Sequence, residues 1–131
     1  MTLVEQMTQM LGRVDDDYIH FNELLSAYRV DNQPNTKEGL EAKLDALETI
    51  LVEGASVQSQ IYLLKYFVLT KVMKELPASA LAKLKVRLTQ LDELKDGLRS
   101  AMFPLVEASK SMRERHFEML EESKKNEFKD E

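Results

Sequence analysis

Acid–base chemistry or metal ligation in this chain would have to start from its two histidines. His20 lies in Asp17-Tyr18-Ile19-His20-Phe21-Asn22-Glu23. On a helix, the i, i+3 spacing places Asp17, His20 and Glu23 on one face. Carboxylate-bridged di-metal bundles use a Glu-x-x-His pair in this way, but they need two such pairs and two further inward glutamates. One half-motif is present, with Asp in place of Glu. His116, in Arg113-Glu114-Arg115-His116-Phe117-Glu118, lacks the spacing. Asp15-Asp16-Asp17 offers three carboxylates, yet successive helical side chains point about 100° apart and do not converge on one cation. No metal and no cofactor is expected.

Nucleophilic and phosphate chemistry fare no better. There is no Gly-rich phosphate loop, nucleophile elbow or Ser/His/Asp arrangement, and the four glycines are scattered. The absence of cysteine removes thiolate nucleophiles, zinc–sulfur sites and disulfides together, and fits a reducing compartment, with the cytoplasm as the expected one. The reading is of a protein that is not an enzyme.

Two stretches point to binding instead. Between residues 65 and 87, Lys65, Lys71, Lys74, Lys83, Lys85 and Arg87 face a single acid, Glu75. Phosphate recognition by Lys and Arg needs such charges on one contiguous surface, so Lys71, Lys74, Lys83, Lys85 and Arg87 are the candidates for contact with nucleic acid. The overall acidity, net −5, and the lack of arginine clusters count against that use. The second stretch is the late helix carrying Met102, Leu105, Met112, His116 and Met119. Methionine-bearing surfaces re-pack readily around partners, so these five residues are the expected interface with another protein or a second copy. A helical interaction module (an adaptor, assembly factor or small regulator) ranks first. Nucleic-acid association is the alternative, and helical metal or small-ligand binding the second alternative.

The elements that would position these residues follow from composition and periodicity. With 131 residues, 44% hydrophobic and 31% charged, and only four Gly and three Pro, the chain suits one soluble all-helical domain with a real core. Residues 1–120 form the expected bundle and 121–131 a charged tail that frays. Met1-Thr-Leu-Val-Glu-Gln-Met has neither a basic nor an uninterrupted apolar region, so it does not read as a secretory signal. Charge is segregated: residues 1–53 carry net −7, residues 54–119 net +4 and residues 120–131 net −2. The two larger parts are expected to attract one another within the fold.

Leu3, Met7, Met10, Val14, Phe21, Leu24 and Tyr28 keep a helical stripe, interrupted at Asp17. Tyr18 takes up that stripe. Asp31-Asn32-Gln33-Pro34-Asn35 is the expected loop, after which Asn35, with Glu38 opposite, caps a second helix over about 36–53. Gly54 reads as the glycine just past a helix end, and Ser56 as the cap of the next. The short link then makes a hairpin of helix two and a central helix at 57–76.

That central helix holds Ile61-Tyr62-Leu63-Leu64-Lys65-Tyr66-Phe67-Val68-Leu69, eight of nine residues apolar or aromatic. A helix apolar nearly all round is expected to be wrapped by its neighbours, and either Leu64→Asp or Phe67→Asp to unfold the protein. The run is less than half of the about 20 apolar residues a membrane span needs. Pro77 opens a fourth helix, whose leucine stripe from Leu81 to Leu105 approaches a coiled-coil seam, and Pro104 kinks or splits it. The expected fold is thus an antiparallel bundle of about four helices, in which residues 105–120 either fold back or project toward another chain.

Overall fold

A computed structural model of the chain describes residues 1–28 and 34–129, with the side chains of Phe128 and Lys129 left aside. Among these residues there are three α-helices and no strand: α1, Leu3–Ala27; α2, Lys37–Phe67; and α3, Ala78–Lys129. A π-helical turn, Val68–Val72, and a 3-10 turn, Met73–Glu75, join α2 to the reversal before α3. No helix among them is long and apolar enough to cross a membrane.

Local chemistry accounts for the ends. Thr2 caps α1 by accepting the Glu5 N–H at 3.1 Å, satisfying a donor that the first turn leaves free. Tyr28 is extended and ends the helix, its N–H donating to the Leu25 carbonyl. Arg29 to Gln33, hence most of the expected loop, lie outside the described residues. The cap of α2 is Thr36, which accepts from the Gly39 N–H at 3.1 Å, one residue later than the sequence pattern suggests. Asn35 instead accepts a hydrogen bond from Arg115 at 3.0 Å, tying the start of α2 to α3.

The main departure from the sequence reading is at Gly54. The helix does not end there: α2 runs unbroken from Lys37 to Phe67, so the expected second and central helices are one and the hairpin between them does not exist. Gly54 is buried, and a Cβ built on it would lie 2.7 Å from Met102 Sδ and 3.0 Å from Phe21 Cε2. The glycine lets α2 pass close to both neighbours, and it is not there to free the backbone for a turn. The chain reverses further on, where Leu76 is extended before Pro77 and the Pro77 carbonyl accepts the N–H groups of Ala80 and Leu81.

Side-chain pairs join both α1 and α3 to α2. Asp17 meets Gln60 at 2.7 Å and His20 meets Glu53 at 3.4 Å on one side. On the other, Lys65 pairs with Asp92, Glu48 with Arg113 at 3.2 Å and Glu41 with His116 at 2.9 Å. Arg87 donates to both Asp15 oxygens, at 3.1 and 3.0 Å, joining α3 to α1. Acid from the first part of the chain thus meets arginine from the later part in two of these pairs, Glu48 with Arg113 and Asp15 with Arg87, each worth roughly 0.2–1 kcal/mol at the surface.

The core explains the remaining departures. Leu47, Ile50, Gly54, Val57, Ile61 and Leu64 of α2, with Val68 of the π-helical turn, three and four residues apart, form one buried stripe. Val14 and Phe21 of α1, and Leu91, Leu98, Leu105 and Met112 of α3, close over it. Asp17 and Tyr18 share the disputed stripe position, both half-buried, with Tyr18 packed on the core. α3 passes through Pro104 without interruption, and the proline lies on its exposed side. Beyond it Leu105, Ala108 and Met112 are buried. Residues 105–119 therefore neither fold back nor project, because α2, at about 47 Å, is long enough to cover them. The stretch expected to fray is helical and exposed from Glu121 to Glu127, while Asp130 and Glu131 lie outside the described residues.

Candidate interaction face

The residues singled out for chemistry are dispersed by the fold. Asp17 accepts from Gln60 and His20 turns to Glu53, so the two leave their common helix face for different partners on α2. No group of three or more His, Asp or Glu side chains placed to hold a metal ion occurs among the described residues.

The five late-helix candidates turn inward. Leu105 and Met112 are each 1% exposed, Met102 packs against Gly54, and Met119 lies half-buried against the core. His116 is engaged with Glu41. This stripe is the seam that α3 presents to α2, which the sequence reading mistook for a free surface because it took α2 to begin a new helix at residue 57.

The basic stretch is partly neutralised. Lys65 pairs with Asp92 and Arg87 with Asp15. The Lys71 ammonium lies 5.8 Å from the Phe67 ring centroid, a cation–π distance. Lys74, Lys83 and Lys85 remain exposed on either side of Pro77, without an ion pair among the described residues.

What the fold leaves uncovered is the other side of α2. Val52 is 69% exposed, Tyr62 59%, Leu63 63%, Tyr66 69% and Leu69 54%. With Ala55, Ser56 and Ser59 they make up every exposed position from Val52 to Leu69, and none is charged. In a protein 31% charged, such a face is unusual, because polar and charged residues ordinarily cover the solvent side of a helix. Its spine, Val52, Ala55, Ser59, Tyr62 and Tyr66 on α2 with Leu69 in the π-helical turn that continues it, alternates intervals of three and four residues, the repeat of a coiled-coil seam. α2 thus carries two seams, one buried and one open. The nine-residue run expected to be surrounded splits between them: Ile61, Leu64 and Val68 point inward while Tyr62, Leu63, Tyr66 and Leu69 point out.

Beside Tyr62 the open face dips into a shallow groove of about 290 Å³ between α2 and α3, lined by Gln58, Tyr62, Lys95, Arg99, Met102, Phe103 and Val106. The Lys95 ammonium lies 4.8 Å from the Tyr62 ring centroid, and Phe103 is 66% exposed. Aromatic and aliphatic side chains with a basic rim suit recognition of protein surface. They offer no nucleophile and no paired acid and base. The sequence carries the signal for this face in the three-four spacing from Val52 to Leu69, but the pattern becomes visible only when the helix is continued through Gly54. Comparison with protein families, with curated proteins and with solved structures finds no match to this chain.

Proposed function

We propose that this protein is a non-enzymatic helical interaction module whose recognition surface is the open face of α2. The observation that supports the reading is the uninterrupted run of uncharged exposed positions from Val52 to Leu69. Leaving such a face in water forgoes roughly 25 cal/mol for each Å² of apolar area that a partner would cover. Tyr62 and Tyr66 are the anchors, since exposed tyrosines on an otherwise apolar patch carry most binding energy in interfaces of this kind. The absence of cysteine supports a cytoplasmic setting.

The test is partner capture with the unsubstituted chain and with Tyr66→Ala and Leu63→Asp variants. Each substitution lies on the exposed side and should leave helicity unchanged while weakening association about tenfold or more. Unaltered association in both variants would refute the assignment.

Lys74, Lys83 and Lys85 favour a second reading, contact with nucleic acid at the Pro77 end. Retention of DNA or RNA at low salt, falling steeply as salt is added and lost when the three are changed to Ala, would support it. No retention at low salt would dispose of it.

A further inference from the structure

Resting on the reading of the open face of α2 as an interaction surface, we propose that its occupant is a second copy of this chain, with the two α2 helices antiparallel across a two-fold axis. The six spine residues divide by size: Val52, Ala55 and Ser59 in the first half, Tyr62, Tyr66 and Leu69 in the second. A two-fold axis between Ser59 and Tyr62 sets Val52 opposite Leu69 of the second copy, Ala55 opposite Tyr66 and Ser59 opposite Tyr62. Every large side chain then meets a smaller one, so that the facing layers interdigitate without a void. A parallel pairing sets tyrosine on tyrosine and serine on serine, leaving bulk at one end and a gap at the other. Because a two-fold contact applies the same surface to itself, a face must be complementary to its own reverse, and this one is.

Area and charge agree. At roughly 150–250 Å² for a fully buried aromatic side chain, Tyr62 and Tyr66, 59% and 69% exposed, offer on the order of 250 Å², to which Val52, Leu63 and Leu69 add. The small residues and Phe103 extend this toward the roughly 800 Å² per partner of a standard stable interface. No exposed position from Val52 to Leu69 is charged, so the centre of the contact brings no ion out of water, and Lys95 and Arg99 beside Tyr62 stand at its rim.

Because the chain has no cysteine, single cysteines report the geometry directly. Ala55→Cys and Tyr66→Cys are purified separately and oxidised mildly, alone and mixed. Positions 55 and 66 are about 16 Å apart along a helix, while a disulfide needs Cα atoms roughly 4.4–6.8 Å apart. The antiparallel pairing gives a cross-linked dimer only in the mixture, and a parallel pairing cross-links each variant with itself. Light scattering on the unmodified chain should give twice the monomer mass, and Ser59→Arg should return it to monomer with unchanged helicity.

A monomer at every concentration, or homotypic cross-linking, overturns the proposal. The broader reading fails separately: a monomeric chain that still loses a different protein partner on Tyr66→Ala keeps the face as an interaction surface. One that loses nothing removes both.

Discussion

Replacing Gly54 by Ala discriminates between a close-approach glycine and an unhindered glycine in a helix interior. In an exposed helix interior the exchange stabilises by about 1 kcal/mol, through the backbone entropy glycine forfeits. Gly97 and Gly12 meet that condition, since a Cβ on either finds nothing within 4 Å. At Gly54 the same Cβ lies 2.7 Å from Met102 Sδ and 3.0 Å from Phe21 Cε2. The Met102 side chain can swing toward the groove, but the Phe21 ring is 1% exposed and held. Overpacking of this kind costs roughly 1–3 kcal/mol, which outweighs the helical gain. Gly54→Ala is therefore expected to be less stable by about 1 kcal/mol, and Gly97→Ala more stable by a similar amount. For a chain of this size that is a fall and a rise in Tm of roughly 3–5 °C each. Thermal and urea unfolding followed by circular dichroism read both. Adding Met102→Ala should relieve part of the Gly54→Ala penalty, because the two sites share one contact. If Gly54→Ala stabilises as much as Gly97→Ala, α2 does not pass close to α1 and α3 at this point and the reasoning fails.

Three further outcomes are expected. Leu64→Asp, at a site with no exposure, should unfold the protein, since an unpaired buried charge costs several kcal/mol against a total of roughly 5–15. Its neighbour Leu63→Asp, 63% exposed, should keep the fold, and equal loss of helicity in both would contradict the face assignment. Tyr28 has its hydroxyl pKa raised by burial, and among the described residues that hydroxyl has no hydrogen-bond partner. Its folded-state pKa lies above the unfolded one, so the stability it contributes is present below pH 10 and lost as pH rises through the folded value. Tyr28→Phe should remove that part of the alkaline decline and leave neutral stability near that of the unchanged protein. Deleting residues 121–131 should change Tm by less than the repeat error, because residues 121–127 are exposed and such surface helix turns add little; a fall of several degrees would show that they pack.

The helical class, the α1 stripe through Val14 and Phe21, and the inward leucines of α3 were legible because each rests on local periodicity. The number of helices was not. A glycine ends a helix or is threaded through it at nearly the same local cost, and at Gly54 the difference lies in Phe21 and Met102, 33 and 48 residues away. From that one position three other departures follow. Two short helices became one long one, the late methionine stripe became its inner seam, and the supposed wrapped run gained an outer side. Phe67 also proved only half-buried, so its change to Asp should be milder than that of Leu64. The pairing of Arg87 with Asp15 was foreshadowed by charge segregation, whereas Lys65 and Asp92 pair within the basic part of the chain, and which lysines stay unpaired depends on helix register.

The close backbone approaches in this protein are those of α2 with α3 and of α1 with α2 and its π-helical turn. Each seam therefore joins elements that are neighbours in the chain. Such a topology has short loop closures and low contact order, and chains of this sort fold in microseconds to milliseconds. Either helical pair can close first, with α2 as the common member and the third helix adding to a template already formed. Amide exchange should accordingly be slowest in the middle of α2, where both seams must open before water reaches the backbone.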